Sequence, residues 1–143
     1  MKILKIISNT LIISFLLNFS WEFLQSPFYD CFDESLRSNY YHYILAILGD
    51  SIYTIIIYFI ISILNKDLFW IKNSWNRKNM ISLIFIWFLL ALFIEYKWVF
   101  ILQKWSYSNL MPTVYWIWII PILQMMILPL MTFKIVKNLN SHQ

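Results

Sequence analysis

Four stretches of this sequence, at about 3–25, 43–64, 80–102 and 113–136, stay apolar over twenty residues or more with at most two charges in each. A helix rising 1.5 Å per residue needs about 20 residues to cross the ~30 Å hydrocarbon core of a bilayer. In hydrocarbon the backbone must satisfy its own polar groups, which leaves only helices or closed barrels. Barrel strands alternate apolar and polar over about 10 residues, whereas these runs are continuous. The expected fold is therefore all-α: a polytopic membrane protein, an antiparallel bundle of four transmembrane helices, in a single transmembrane domain covering residues 1–143. With 61% hydrophobic and only 13% charged residues, the chain lacks the polar surface of a soluble domain, in which about 25% of residues are charged. A soluble globular enzyme is excluded.

The first run follows Lys2 and Lys5, as a secretory signal would, but Asn18-Phe19-Ser20 is a poor match to a small-residue cleavage site, so a retained helix is expected. Lys2, Lys5, Lys66, Lys72, Arg77, Lys78, Lys134 and Lys137 fall on the side of both termini, against Arg37, Lys97 and Lys104 on the other. The positive-inside rule then gives N-in, C-in, and the expected location is the plasma membrane, a bacterial inner membrane. The net charge of +4 reports topology, and no nucleic-acid partner is expected. The loop Asn65–Asn79, with Leu68, Phe69, Trp70, Ile71 and Trp75 among its basic residues, is expected to lie in the headgroup plane against membrane lipids. The lone Cys31 forms no internal disulfide.

Function is carried by polar residues placed where lipid is expected. Under this topology Glu22 sits near the outer end of the first span, with Asn18 and Gln25 on the same helix face. Asp50 and Glu95 each fall about 10 Å below the outer boundary and Gln124 about 16 Å below it. An acidic residue at the centre of a membrane helix costs about 2.5–3.5 kcal/mol on insertion scales, so these groups must face the bundle interior or a wet cleft. Carboxyls sharing one desolvated space are not all ionised cheaply, so a proton donor beside an ionised acceptor is expected. Glu22, Asp50 and Glu95 are the candidate catalytic groups. Gln25, His42, Tyr107 and Gln124 are the candidate substrate-binding groups. His42 lies two turns before Asp50 on the stripe His42-Ala46-Asp50-Thr54, and His42, Arg37, Lys97 and Lys104 are the cations on that side.

Each residue also has a plain structural reading. Asn18, Gln25 and Gln124 serve equally as hydrogen bonds between helices, Glu22 as a solvated interfacial acid, Glu95 as a partner of Lys97, and Gly49 as a point of close helix approach. Trp21, Trp98, Trp105, Trp116 and Trp118 with Tyr29, Tyr40, Tyr41, Tyr43, Tyr107 and Tyr115 form an outer aromatic belt. Asp30 and Asp33 suggest a short capped surface helix after Ser26-Pro27 ends the first span. No motif such as H-E-x-x-H supports a metal, and neither a metal nor a cofactor is expected.

Taken together, Trp21-Glu22 with Gln25, Pro27 and Tyr29, His42 before Gly49-Asp50, Glu95, Trp105-Ser106-Tyr107 with Met111-Pro112, and Pro121 with Gln124 and Pro129 resemble a family of small bacterial integral membrane proteins. Its pattern reads W-E-x-x-Q-x-P-x-Y, H…G-D, a buried Glu, W-[SA]-Y-x-x-x-M-P and P-x-x-Q. The resemblance implies a four-helix membrane protein and this set of residues, and implies no particular reaction.

The expected function is a polar, carboxylate-containing site in the outer half of the bilayer that binds, or performs acid-base chemistry on, a lipid-soluble, isoprenoid-like small molecule. The absence of a P-loop or of Ser-His-Asp spacing argues against nucleotide and hydrolase chemistry. The alternatives are a proton- or cation-coupled small transporter and a non-catalytic membrane subunit. A homo-oligomer is compatible with each.

Overall fold

The computed structural model describes residues 2–29, 36–73, 75–115 and 117–141. The surface helix expected at Asp30 and Asp33, and Trp116 of the belt, lie outside the described residues, as do the side chains of His42 and Arg37. The elements are α1 (Lys2–Gln25), α2 (Leu36–Asn65), the short α3 (Trp70–Asn73), α4 (Arg77–Glu95), a two-stranded hairpin of β1 (Thr113–Val114) and β2 (Ile117–Trp118), and α5 (Ile119–Ser141). Four helices are long and apolar enough to cross a membrane: Ile3–Phe28, Tyr43–Asn65, Arg77–Ile101 and Ile119–Asn140.

Local chemistry sets the element boundaries. Ser26-Pro27-Phe28 tightens into a 3₁₀ turn that ends α1, as the proline ring disfavours helix in the residue before it. The Asn76 side chain accepts a hydrogen bond from the Asn79 amide at 2.9 Å and so starts α4. The fourth run differs from the expectation at its start: Thr113–Val114 and Ile117–Trp118 pair as the hairpin, with Thr113 opposite Trp118 and Val114 opposite Ile117, and helix begins only at Ile119. The apolar run spans both elements because β-branched and aromatic residues suit a strand as well as a buried helix. Pro121 stands in the first turn of α5, where a missing N–H costs no helical bond.

α1 packs along α2 and α5, and α5 along α4, while α2 and α4 touch only sparsely. α1 and α2 are antiparallel: Ser14 meets Thr54 at 3.1 Å, and Glu22, two turns further along α1, shares a partner with Asp50, one turn back along α2. Gly49 does not serve a close helix approach, because nothing described lies within 4 Å of a Cβ built on it.

The end of the bundle that holds α3 is closed by an apolar plug. Trp70 and Ile71 are fully buried, so these two side chains pack inside the protein, while Leu68 of the same loop is exposed. Asp67 folds the chain back by accepting from the Phe69 amide at 2.7 Å and from the Asn73 side chain at 3.1 Å. The Tyr58 hydroxyl then donates to the Leu68 carbonyl, and the Trp70 indole donates to the Tyr58 carbonyl at 3.2 Å. Trp70 meets Phe133 edge-on at 5.5 Å and stacks on Trp75 at 6.0 Å. Trp70→Ala is expected to cost about 3–5 kcal/mol of stability, while Leu68→Ala, on the exposed side of the same loop, stays within about 0.5 kcal/mol. Denaturant titration of both variants in mild detergent checks this.

Candidate functional site

A stripe of polar side chains runs along α1 at four- and three-residue spacing: Thr10, Ser14, Asn18, Glu22 and Gln25, every one of them buried. This spacing keeps the stripe on one helix face, turned toward α2 and α5. At the hairpin end it meets α5. Gln124 Oε1 accepts from Gln25 Nε2 at 2.9 Å, and Gln124 Nε2 lies 2.9 Å from Glu22 Oε1 and 3.2 Å from both Asn18 Oδ1 and Asp50 Oδ2.

The amide orientations follow from one group that can only donate. The Trp21 indole N–H donates to Gln25 Oε1 at 3.0 Å, so the Gln25 nitrogen must point the other way, to Gln124 Oε1 and to the Tyr29 hydroxyl at 3.0 Å. The Gln124 nitrogen is thereby aimed at the carboxyls. It carries two hydrogens for three oxygens, so these are shared among Glu22, Asp50 and Asn18, and Glu22 also interacts with the Gln25 amide.

Glu95 enters from the opposite wall. It is the last α-helical residue of α4, after which Tyr96–Ile101 widens into a π turn, a feature common at functional sites. The chain reverses through Gln103, whose φ is +49°, and Trp98 stacks on Trp105 at 5.2 Å. The returning segment pairs with the end of α1 through a backbone bridge between Tyr29 and Tyr107 and a 2.9 Å bond from the Ser108 amide to the Phe28 carbonyl. Their rings lie 4.9 Å apart. The Tyr107 hydroxyl donates to Glu95 Oε2 at 2.8 Å. The Tyr29 and Tyr107 hydroxyls also interact. Trp21, Gln25 and Tyr29 on one side and Tyr107 and Glu95 on the other are thereby joined in one polar network.

Glu22, Asp50, Glu95 and Gln124 line one partly open cavity with Tyr29, Tyr43, Ala46, Ile94, Trp105, Pro121 and Met125. Its volume is ≈ 40 Å³, room for about two or three waters. No described Lys or Arg side chain is in this wall. Glu22 and Glu95 are 6% and 3% exposed, which removes the reading of Glu22 as a solvated acid. Lys97 and Lys104 lie exposed on the surface, so Glu95 is not held by its near neighbour Lys97. Among the described residues no group of three His, Cys, Asp or Glu is placed to hold a metal ion.

The structure therefore brings six of the seven candidate residues together: Glu22, Asp50, Glu95, Gln25, Tyr107 and Gln124. The seventh, His42, has its side chain outside the described residues. Tyr29, assigned to the aromatic belt from sequence, is a wall of the cavity and the link between Gln25 and Tyr107. The regular spacing of Thr10, Ser14 and Asn18 is the sequence signal for the deeper stripe. Neither a protein-family model, nor a curated protein, nor a solved structure matches the chain, so the family likeness rests on its motifs alone.

Gln124→Leu removes the shared donor from two buried oxygens, of Asn18 and Glu22, and from the half-buried Asp50, and is expected to cost about 1–3 kcal/mol for each buried group left unpaired, with Gln124→Asn intermediate; thermal unfolding in detergent checks the order. The two tyrosines predict an alkaline limit. Burial first, then the negative charges of Glu22 and Glu95, holds the Tyr29 hydroxyl well above its usual range. Burial first, then Tyr29 and Glu95, does the same for Tyr107. A phenol whose folded-state pKa is raised contributes stability that is complete below the unfolded value, about 10, and is lost as pH rises toward the folded value. Stability is expected to fall above about pH 10, and Tyr29→Phe with Tyr107→Phe to flatten that fall, as read by unfolding at stepped pH.

Proposed function

We propose that the protein holds an intramembrane acid-base site for a lipid-soluble, isoprenoid-like small molecule, in the half of the bilayer that an N-in, C-in bundle turns outward. The observation that carries this reading is the convergence of Glu22, Asp50 and Glu95 on one cavity whose wall, among the described residues, contains no Lys or Arg. Carboxyls kept in an apolar bundle at a cost of a few kcal/mol each are a mark of function. In a low-dielectric space a carboxyl that retains its proton donates it, and an ionised neighbour accepts one or steadies developing positive charge.

The geometry suggests a division of roles. Glu95, already receiving the Tyr107 hydrogen bond, suits the ionised acceptor. Glu22 and Asp50, which compete for the hydrogens of Gln124, suit the pair that shares a proton. Gln25, Tyr107 and Gln124 fix the carboxyls and the bound molecule, and His42 belongs to the same helix face as Asp50. Positioned general acid-base groups contribute about 10²–10⁴ in rate.

Transport is the second reading, favoured by the polar stripe that continues from Gln25 to Thr10, about 22 Å along α1. Against it, Thr10, Ser51, Ser62 and Thr132 donate to carbonyls of their own helices. The α3 plug also closes the bundle beyond the stripe.

Mass spectrometry of lipid-soluble molecules retained after purification in mild detergent tests the site. A species bound by wild type is expected to fall by about tenfold or more in Asp50→Asn and Glu95→Gln, since each removes at least about 1.4 kcal/mol of interaction. Absence of any such species would overturn the binding reading. Proton flux in proteoliposomes that collapses on Asp50→Asn would replace it with transport.

A further inference from the structure

The cavity has a side as well as a mouth. Viewed down α2 at 100° per residue, Asp50 lies between two neighbourhoods. On one side are Ile47 and Thr54, both buried, with Thr54 hydrogen-bonded to Ser14 of α1. On the other, Ala46 follows about 40° from Asp50, Gly49 about 100°, and the exposed Leu45 and Ile52 about 140–160°. Ala46 lines the cavity with Ile94 and Glu95 of α4, so this second side looks toward the α2–α4 seam, where the described residues of the two helices touch only sparsely. Nothing described lies within 4 Å of a Cβ at Gly49. The path from the lipid-facing surface of α2 to Asp50 therefore crosses the two smallest side chains on that helix, Gly49 and Ala46.

Size then limits what the cavity takes. A volume of ≈ 40 Å³ holds about two or three waters, so it cannot enclose a whole lipid-soluble molecule. It has room only for the end of one. Glu22, Asp50 and Glu95 line the wall with six carboxyl oxygens, and the two hydrogens of Gln124 are divided among Glu22, Asp50 and Asn18, so a head group that donates hydrogen bonds fits it and an anionic one does not.

We infer that the ligand is a single-chain lipid with a small hydrogen-bond-donating head, a primary amine or an alcohol, which enters sideways from the bilayer through the α2–α4 seam over Gly49 and leaves its chain in the seam. This inference rests on the cluster being a proton-holding site, and the two are separable by experiment. Wild-type protein in liposomes is treated with lipid-soluble dicyclohexylcarbodiimide or with a water-soluble carbodiimide, reagents that react with protonated carboxyls, and labelling is followed by mass spectrometry as loss of the unmodified Glu22 and Asp50 peptides, which counts any amide formed with an amine as well as the carbodiimide adduct.

The lipid-soluble reagent is expected to react faster by about tenfold or more, and dodecylamine or dodecanol, but not dodecane, to slow it by a similar factor. Gly49→Leu is expected to slow labelling by about fivefold or more and Gly49→Ala only slightly. The open space at Gly49 lets both variants fold, and an unchanged unfolding midpoint confirms it. Equal rates with the two reagents, or a wild-type rate in Gly49→Leu, overturn the lateral route. Failure of both dodecylamine and dodecanol to protect overturns the ligand class. No adduct with either reagent overturns the acid-base reading itself.

Discussion

The Gln124 side chain ties three helices together with one planar group. Its oxygen accepts from Gln25 of α1, and its nitrogen faces Glu22 and Asn18 of α1 and Asp50 of α2. A hydroxyl would not do this, because it offers one hydrogen; a lysine would offer three but add a charge and no acceptor. The amide is neutral and two-sided, so it links the polar stripe of α1 to α2 without neutralising the acids. Its direction is set from a distance by Trp21, whose indole can only donate. An inverted Gln25 would confront that donor with another and would turn Gln124 over in sequence.

The two ends of the bundle solve opposite problems. At the α3 end, Trp70, Tyr58, Phe133 and Val136 exclude water by packing, and nearby hydroxyls are satisfied by their own helices. At the hairpin end, hydrogen bonds between helices replace packing, and a small cavity remains. The aromatic residues there are structural partners more than free anchors: Tyr107 lies against Tyr29 and Trp118, and Trp98 against Trp105. Tyr115, 97% exposed at the hairpin tip with φ of +58°, and Tyr41, 64% exposed, face outward.

What was legible in the sequence follows from range. Uninterrupted apolar length is a local property, so the four long helices were readable, and so was the oddity of Glu22, Asp50, Glu95 and Gln124 within them. Contacts made across 74 to 106 residues were not. Nothing local says that Gln124 would reach Asp50, or that Tyr29 would leave the belt for the cavity. Trp70 and Ile71 read as interfacial because the same aromatic composition serves a membrane surface and a core; only the fold-back at Asp67 decides between them. Residues 113–118 read as helix because apolar strands and buried helices share a composition. Gly49 is the opposite case, since a glycine in a helix suggests a close neighbour and here the space is open.

The distance along the chain between Asp50 and its partner also has a meaning in time. Gln124 is synthesised 74 residues after Asp50, which at about 5–20 residues per second is roughly 4–15 s. Until α5 arrives, Glu22 and Asp50 have no shared amide to satisfy them, and Phe133 is not yet there to receive Trp70. Both ends of the bundle thus wait for the last helix. Biogenesis must shelter an incomplete three-helix intermediate, with acids facing an unfilled gap, and the arrival of α5 closes the plug and assembles the site in the same step.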